Sequence, residues 1–358
     1  MKHPIGHTLA LAILWLTLFG QVSHARNNQE NATMNEPNEL RTQCVGRYLI
    51  DIPHSSVVFG SAKVTGVSID SVAMSYESFR QEMTSRQATM TTTKSRFGYK
   101  FLYEIGEVPG IKNSKYFVSL GDADAPSDAT RVIEAFKWDR GYLIKARINA
   151  SDFTKSKYAT PEILQVMSIK ADVAPKLRTV FDLIEKMRGR PDDVIPTEPG
   201  MCFVGGFLPG NAGDVGENPS VQFVLSNNRD VSVGFDTNAG IREAETLLQR
   251  SSVIHQGLQQ ISGARTIRKG GVDLVNGRAE EWLISGKTPL NVIGNTFTLE
   301  ANSTTSSALS PLLTLDMETG TTNAFFNGPL KSPSLSETDA ITLWDAISRS
   351  VRARPDGF

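Results

Sequence analysis

The chain carries the same five-residue pattern at the end of each of its two halves. Residues 188–192 read Arg-Gly-Arg-Pro-Asp and residues 352–356 read Arg-Ala-Arg-Pro-Asp, an offset of 164 residues. Two further pairs keep the same order at nearly the same spacing: Phe181 with Trp344, and the only two cysteines, Cys44 with Cys202. Together these matches indicate a duplicated domain. The alternative is that the closing patterns match only because many helices end in arginine and proline.

The first half combines strand-like and helix-like segments. Alternating apolar residues predict strands at RYLIDIP, YKFLYEIGEV, KYFVSLG and RVIEAFKWDRGYLIKARI, and YESFRQEMTSRQATM has a helical pattern. A closing helix is predicted over APKLRTVFDLIEKMRGRPDD, with Pro175 in its first turn. Its apolar side consists of Leu177, Val180, Phe181, Ile184 and Met187.

The second half repeats this order. We expect strands at VQFVLS, VSVGF, NTFTLEAN and LLTLDMETG, a helix over GIREAETLLQRSSVI, and a hairpin turn at Asn276-Gly277. Ser336 is the predicted N-cap of the last helix, with Asp339 at its third position. Prolines are expected to end both closing helices, with arginines at their C-termini. Runs of strands with helices between and after them favour an α+β fold, mainly antiparallel, over a doubly wound parallel sheet.

The first 25 residues have the pattern of a cleaved signal peptide. Lys2 precedes an apolar run of 12 residues from Leu9 to Gly20, and small residues end at Ala25. The alternative is an uncleaved membrane anchor, but the run is shorter than the ~20 apolar residues of a spanning helix. We predict cleavage after Ala25 and no stable membrane insertion of the mature chain.

The predicted organisation has four segments after the signal peptide of residues 1–25. Residues 26–40 are a flexible leader, rich in Asn, Gln and Glu. Residues 41–192 form an N-terminal α+β domain, 193–200 a linker rich in Pro and acid, and 201–356 a C-terminal α+β domain. The mature chain has 36 basic and 38 acidic side chains. This balance gives no electrostatic footprint for nucleic acid or an anionic membrane.

Cys44 and Cys202 each open the first strand of one copy. In an oxidising compartment two such cysteines usually pair, and a disulfide here would join the two copies. The alternative is a buried reduced thiol in each of two separate cores, because cysteine behaves as a small hydrophobic side chain. The sequence leaves both alternatives open.

The chain lacks the common motifs of catalysis and metal binding. His54 and His255 are the two histidines after the signal peptide, and each is isolated, so the usual zinc ligands are missing. Glu280 and Glu281 are adjacent on a predicted strand and point to opposite faces. The loop with Asp122, Asp124 and Asp128 lacks the EF-hand pattern of a calcium site. We therefore predict no catalytic, cofactor-binding or metal-binding residues, and a binding protein rather than an enzyme.

Several segments in a fixed order resemble a known family. They are CVGRYLIDIP, RPDDVIPTEPGMCFVGG, EAETLLQR, VNGRAEEWL, TLDMETG and LSETDAITLWDAISRSVRARP, and they span residues 40–356. The chain resembles the type VI secretion immunity proteins that protect Gram-negative bacteria against the fourth class of lipase effector. The resemblance implies a periplasmic, non-catalytic protein. It would hold the phospholipase effector between its two domains and block substrate access or lid opening.

Two other functions remain as alternatives. A periplasmic protein that binds a lipid or another small ligand would need a deep apolar cavity. A hydrolase would need a scattered catalytic triad built on His54 or His255. The interface with an effector cannot be assigned from the sequence. The loops GDADAPSDA and GFLPGNAGDVGENPS are candidates because loops often carry recognition, and the alternative is that both are connectors without contacts.

Overall fold

The computed structural model describes residues 39–154, 156–166, 170–213, 216–275, 277–321 and 330–358. The predicted signal peptide, most of the predicted leader and Asn276 of the predicted hairpin turn lie outside these ranges. The first half of the described chain contains β1 Leu40–Val45, β2 Tyr48–Pro53, β3 Ser56–Val64, β4 Val67–Ala73, α1 Tyr76–Thr92, β5 Leu102–Gly106, β6 Ser114–Ser119, β7 Thr130–Asp139, β8 Tyr142–Ser151, α2 Pro161–Val166, α3 Val173–Lys186 and β9 Arg188–Gly189.

The second half repeats this order, except that nothing corresponds to the short helix α2 among its described elements. It contains β10 Gly200–Phe203, β11 Gly206–Pro209, β12 Glu217–Leu225, β13 Val231–Asn238, α4 Ser251–Leu258, β14 Arg265–Leu274, β15 Gly277–Lys287, β16 Ile293–Ala301, β17 Leu312–Thr319, α5 Glu337–Ser348 and β18 Arg352–Ala353. Each strand of the first half therefore has a counterpart in the second.

Both halves belong to one antiparallel sheet of twelve strands. Its order is β14-β15-β16-β17-β13-β12-β3-β4-β8-β7-β6-β5, so corresponding strands lie at corresponding distances from the centre. The central pair is β3 with β12, which match over nine residues from Ser56 opposite Leu225 to Val64 opposite Glu217. The fold is α+β and mainly antiparallel, which confirms the predicted class.

The helices cover the two faces of this sheet differently. On one face, α3 packs through Val180 and Ile184 on the first half, and α5 packs through Ala340, Trp344 and Ile347 on the second. On the other face, α1 lies on strands of the first half, and the ring of His255 in α4 contacts Trp282 of β15. Among the residues that the structure describes, no helix covers the strands between α1 and α4 on this second face.

The first hairpin of each half packs against the other half. β2 pairs with β18, and Val45, Ile50 and Ile52 of the β1–β2 hairpin join the core beneath α5. Reciprocally, β11 pairs with β9, and the β10–β11 hairpin adds Met201, Phe203 and Leu208 to the core beneath α3. The two copies have therefore exchanged their opening hairpins within one chain.

The repeated Arg-Pro-Asp pattern helps to hold the two halves together. The prediction that its arginines lie at the helix C-termini, with proline ending the helices, is wrong: α3 ends at Lys186 and α5 at Ser348, before either pattern. Arg190 is buried and donates to the carbonyl oxygens of Pro191 and Val194, among others. Arg354 is buried as well and donates to three carbonyl oxygens of residues 196–200. The arginines therefore fix the segment that connects the two halves.

The last helix begins as predicted, and the helix before it does not. The Asp339 N–H donates to Ser336 Oγ over 3.1 Å, which confirms the N-cap. In contrast, the helix expected over residues 240–254 begins only at Ser251. Before it, the Thr246 N–H donates to the Gln249 side chain and the Gln249 N–H to Thr246 Oγ1. This reciprocal pair has the form of a capping box, so helical turns begin only after Thr246 and the residues before it stay outside the helix.

We expect the buried Arg354 to be essential for stability. Arg354→Leu leaves the carbonyl oxygens of Pro196, Glu198 and Gly200 without this donor, so the free energy of unfolding should fall by about 3 kcal/mol. Urea denaturation of the purified protein measures this difference. The matched control is Arg80→Leu on the exposed side of α1, where the change should stay within about 0.5 kcal/mol. A loss below about 1 kcal/mol for Arg354→Leu would contradict the role assigned to it.

Candidate interaction surface

The helix-free part of the sheet between α1 and α4 is the candidate interaction surface, and we call it the open face. Side chains alternate along each strand, so the residues that point away from α3 and α5 form it. Both halves contribute strands to it. It consists of Val57, Phe59, Ser61 and Lys63 of β3, Asp70 and Val72 of β4, Ser220 and Gln222 of β12, Asp236 of β13, and Asp316 and Glu318 of β17.

The helix α1 flanks the open face on the side of the first half. Ser75 caps its N-terminus by accepting a hydrogen bond from the Ser78 N–H. Phe79 and Met83 of the helix pack in one cluster with Phe117 and Phe136 of the sheet. This packing fixes the edge of the open face.

Apolar side chains are exposed near the centre of the open face. Val57 is 44% exposed, Phe59 43% and Val72 52%. Phe59 lies directly opposite Gln222, across the junction between the two halves. Apolar groups of this exposure, surrounded by polar residues on a rigid sheet, are typical of a surface that binds another protein.

The two sides of the open face carry opposite charges. On β8, next to α1, Lys145 pairs with Glu134 over 2.9 Å, Arg147 lies opposite the same glutamate, and Arg86 of α1 also contacts it. Arg86 and Lys145 share this buried carboxylate, and Asp70 lies opposite Lys145, so three cations face two carboxylates and this side has an excess of positive charge. On β17, the strand that corresponds to β8, the face carries carboxylates instead.

Those carboxylates form an acidic strip on β13, β16 and β17. The pKa of Asp316 is raised to about 7, mainly by burial; the hydrogen bond from Thr298 opposes this shift, and the charges of Asp236, Glu318 and Glu300 contribute to it. Burial also raises the pKa of Asp236, and that of Glu300 despite its ion pair with Arg250. Such an arrangement costs folding free energy, and perturbed acids of this kind cluster at functional sites.

The two cysteines form a disulfide in the structure. Their Cα atoms are 5.8 Å apart, and both side chains are buried beside Leu49 and Phe207. The bond joins β1 to β10 and therefore connects the two exchanged hairpins.

The other residues considered for chemistry are separate and have structural partners. Nδ1 of His255 lies 2.8 Å from the Ser251 carbonyl oxygen within α4, and His54 lies in the turn between β2 and β3. Glu280 accepts from the Leu248 N–H on one face of the sheet. Glu281 accepts from Trp344 Nε1 on the other face, as the alternation predicts.

The three aspartates of the first candidate loop make local contacts. Asp122 accepts from the Asp124 N–H, and Asp128 accepts from Ser156 and the Lys157 N–H. In the part of the chain that the structure describes, no group of His, Cys, Asp and Glu residues is arranged to hold a metal ion. Within the same residues, no helix is both long and apolar enough to span a bilayer.

The second candidate loop is shorter than expected from the sequence. Residues Gly206–Pro209 form β11, where Phe207 and Leu208 are buried, and β12 begins at Glu217. Only residues 210–216 connect these strands, and 214–215 lie outside the described ranges. The apolar residues in this segment complete a core rather than forming an exposed surface.

A small cleft lies near the disulfide, at the junction of the halves. Its empty space, part of which is open to solvent, is about 190 Å³, and its lining includes Cys44, Val58, Val204 and Phe223. Ligand pockets usually enclose ~300–1,000 Å³, so this cleft is too small for a lipid.

The open face was not predicted from the sequence. The alternation of Val57, Phe59, Ser61 and Lys63 matches any strand with one exposed side. Which side the helices cover depends on contacts with residues more than a hundred positions away. The acidic residues of β13 and β17 can be identified in the sequence, but whether they lie close together depends on strand pairing.

We expect Asp316 to make stability depend on pH. Its pKa is raised on folding, so the folded state binds its proton more tightly, and stability falls as the pH rises from about 4 to about 7. Asp316→Asn removes this effect, and at ~1.4 kcal/mol per pKa unit its advantage over the wild type should grow by about 2.6 kcal/mol between pH 5 and 8. Urea denaturation at both pH values tests this, with Ser61→Asn as a control on the same face. An equal difference at both pH values would refute it.

Family models and solved structures match this fold. The model of the Tle cognate immunity protein 4 N-terminal domain matches residues 41–190, and that of the C-terminal domain matches residues 194–356. No curated protein sequence matches the chain.

One similar structure is described as the Tle4-Tli4 complex, with TM-score 0.68, 20% identity, and coverage of 88% of this chain and 98% of that chain. Another is the apo immunity protein TplEi of the T6SS from Pseudomonas aeruginosa, with TM-score 0.65, 20% identity, and coverage of 89% and 98%. The same protein in complex with an "L" peptide gives TM-score 0.63 and 20% identity, covering 89% of this chain and 100% of that chain. At this identity the structures support the fold, and the family models cover both halves. The chain belongs to the Tle cognate immunity protein 4 family.

Proposed function

We propose that the protein is a periplasmic immunity protein that binds a type VI secretion lipase effector and inhibits it without catalysis. Family membership supports the class of partner, and the open face supports the mode of action. The single observation that carries the proposal is a rigid sheet face with exposed apolar groups at its centre and opposite charges on its two sides.

The effector would contact both halves at once. The nine-residue pairing of β3 with β12 places strands of both halves side by side in the open face. A standard interface buries ~800 Å² on each partner, and a surface of that size would extend from the centre towards α1 and α4. Binding of this kind would block substrate access or lid opening by steric exclusion.

The charge pattern would orient the partner. The acidic strip around Asp316 fits a basic segment of the effector, and the basic side near Arg147 fits an acidic one. Because the net charge is small, this complementarity acts locally rather than by long-range steering. The cost of the clustered carboxylates in the free protein would be relieved when a cation binds beside them.

Titration of the cognate lipase with this protein tests the function. Phospholipid hydrolysis should fall linearly and stop at one molecule of inhibitor per molecule of lipase, because an effective immunity protein must bind tightly. The protein alone should release no fatty acid from the same substrate. Full lipase activity at an excess of the protein would refute the proposed inhibition, and hydrolysis by the protein alone would refute the non-catalytic role.

The same titration with variants of the open face tests whether this face is the interface. Gln222→Arg places a bulky charge at the centre of the open face and should weaken binding about thirtyfold, the loss expected for a disrupted hot spot of ~2 kcal/mol. Ala346→Arg is the matched control, on the exposed side of α5 and behind the sheet. Equal affinities for the two variants would place the interface elsewhere.

Periplasmic residence rests on the predicted signal peptide and the family. Sequencing of the mature protein from a periplasmic fraction should give an N-terminus at Arg26. A chain that stays attached to membranes with residues 1–25 intact would contradict this part of the proposal.

A further inference from the structure

The exchanged hairpins touch each other at one place, and the disulfide lies there. The Gly46 N–H donates to the Cys202 carbonyl oxygen over 2.9 Å, and the Cys202 N–H donates back to the Gly46 carbonyl oxygen over 2.8 Å. Cys44 is two residues away in β1. The bond between Cys44 and Cys202 therefore connects two elements that each complete the core of the opposite half.

A buried ion pair holds the same contact. Arg47, in the turn between β1 and β2, donates to both carboxylate oxygens of Glu217 over 2.9 and 2.8 Å. It also donates to the Gly210 carbonyl oxygen. The first hairpin is thereby fixed to the start of β12, which belongs to the second half.

The exchange brings together residues far apart in the chain. Cys44 and Cys202 are separated by 158 residues, and without a covalent bond each hairpin can leave its site by local opening. If the β1–β2 hairpin leaves, the core beneath α5 loses Val45, Ile50 and Ile52. The contact between the hairpins is lost at the same time, which weakens the site of β10–β11.

We propose that oxidation of Cys44 and Cys202 locks this reciprocal exchange, so that neither hairpin can leave its site independently once the chain is in an oxidising compartment. Formation of the S–S bond removes two electrons and two protons from the two thiols. A protein disulfide of the compartment accepts them by thiol–disulfide exchange: it first forms a mixed disulfide with one cysteine, and the other cysteine then displaces it as a dithiol. A role of this oxidation in immunity rests on the proposed function, whereas the locking of the hairpins by the disulfide does not.

Burial makes the locking effectively one-way. Cys44 is 5% exposed and Cys202 is fully buried, so an oxidant reaches the thiols before the hairpins have docked. After docking, a reductant has little access to the bond. The chain is thus looser before export and permanently fixed after oxidation.

Hydrogen exchange detected by mass spectrometry tests the proposal on the mature chain. In the Cys44→Ala/Cys202→Ala variant, amides of residues 48–53 and 200–209 should exchange together and at least ~30-fold faster than in the oxidised wild type, the factor for the low end of the usual stabilisation by a disulfide. Amides of the β7–β8 pair serve as the internal reference and should accelerate at least tenfold less than those of the hairpins, because the effect is on local opening. Exchange within threefold of the wild type, or acceleration of only one hairpin, would overturn the proposal.

The same exchange measurement on the wild type after reduction of its disulfide keeps the test valid if the cysteine variant does not fold, and two core variants with the disulfide intact test the exchange of hairpins itself. Ile50→Ala lies in the first half of the sequence, and it should accelerate exchange in α5 rather than in α3. Met201→Ala lies in the second half, and it should accelerate exchange in α3 rather than in α5. An effect confined to the helix of the same half would overturn the reciprocal exchange. These measurements need no effector, so they fail or succeed independently of the inhibition assay.

Discussion

Each half of the protein completes its core with a hairpin that the other half supplies. Ile50 and Ile52 lie beneath α5, and Met201 and Phe203 lie beneath α3; all four are essentially inaccessible to solvent. Burial of one such side chain contributes about 1.5–3 kcal/mol, so each half loses a large share of its stability without the other. The consequence is one cooperative unit, although the sequence divides into two copies.

This mutual dependence also fixes the open face in the free protein. A sheet that is fixed by the β3–β12 ladder, the exchanged hairpins and the Arg47–Glu217 pair keeps its exposed side chains in place before binding. A partner then meets a surface that loses little conformational freedom, and less of the interaction free energy is spent on ordering it. Two domains joined by a loose linker would have to be ordered on binding.

The sequence predicted the features that depend on local pattern. The duplication, the antiparallel α+β class and the Ser336 cap all follow from spacing or from residues within one turn of each other. The role of the repeated arginines did not follow, because burial of Arg190 and Arg354 depends on carbonyl groups of the connecting segment, which local pattern does not place. The open face could not be predicted for the same reason, because it depends on contacts between distant residues. Phe59 and Gln222, for example, are neighbours only through strand pairing between the halves. The late start of α4, in contrast, has a local signal that the sequence prediction did not use: Thr246 and Gln249 have the spacing of a capping box.

The two copies are alike inside and different on the open face. The strands β8 and β17 occupy corresponding positions in the sheet, yet β8 presents Lys145 and Arg147 where β17 presents Asp316 and Glu318. A fold that needs only its own stability has no reason to gather carboxylates where burial raises their pKa. The clustering is understandable if a cation of another molecule completes the site. The two halves repeat the order of strands but not the charges of the open face, so under the proposed function a single asymmetric effector would bind in one orientation only.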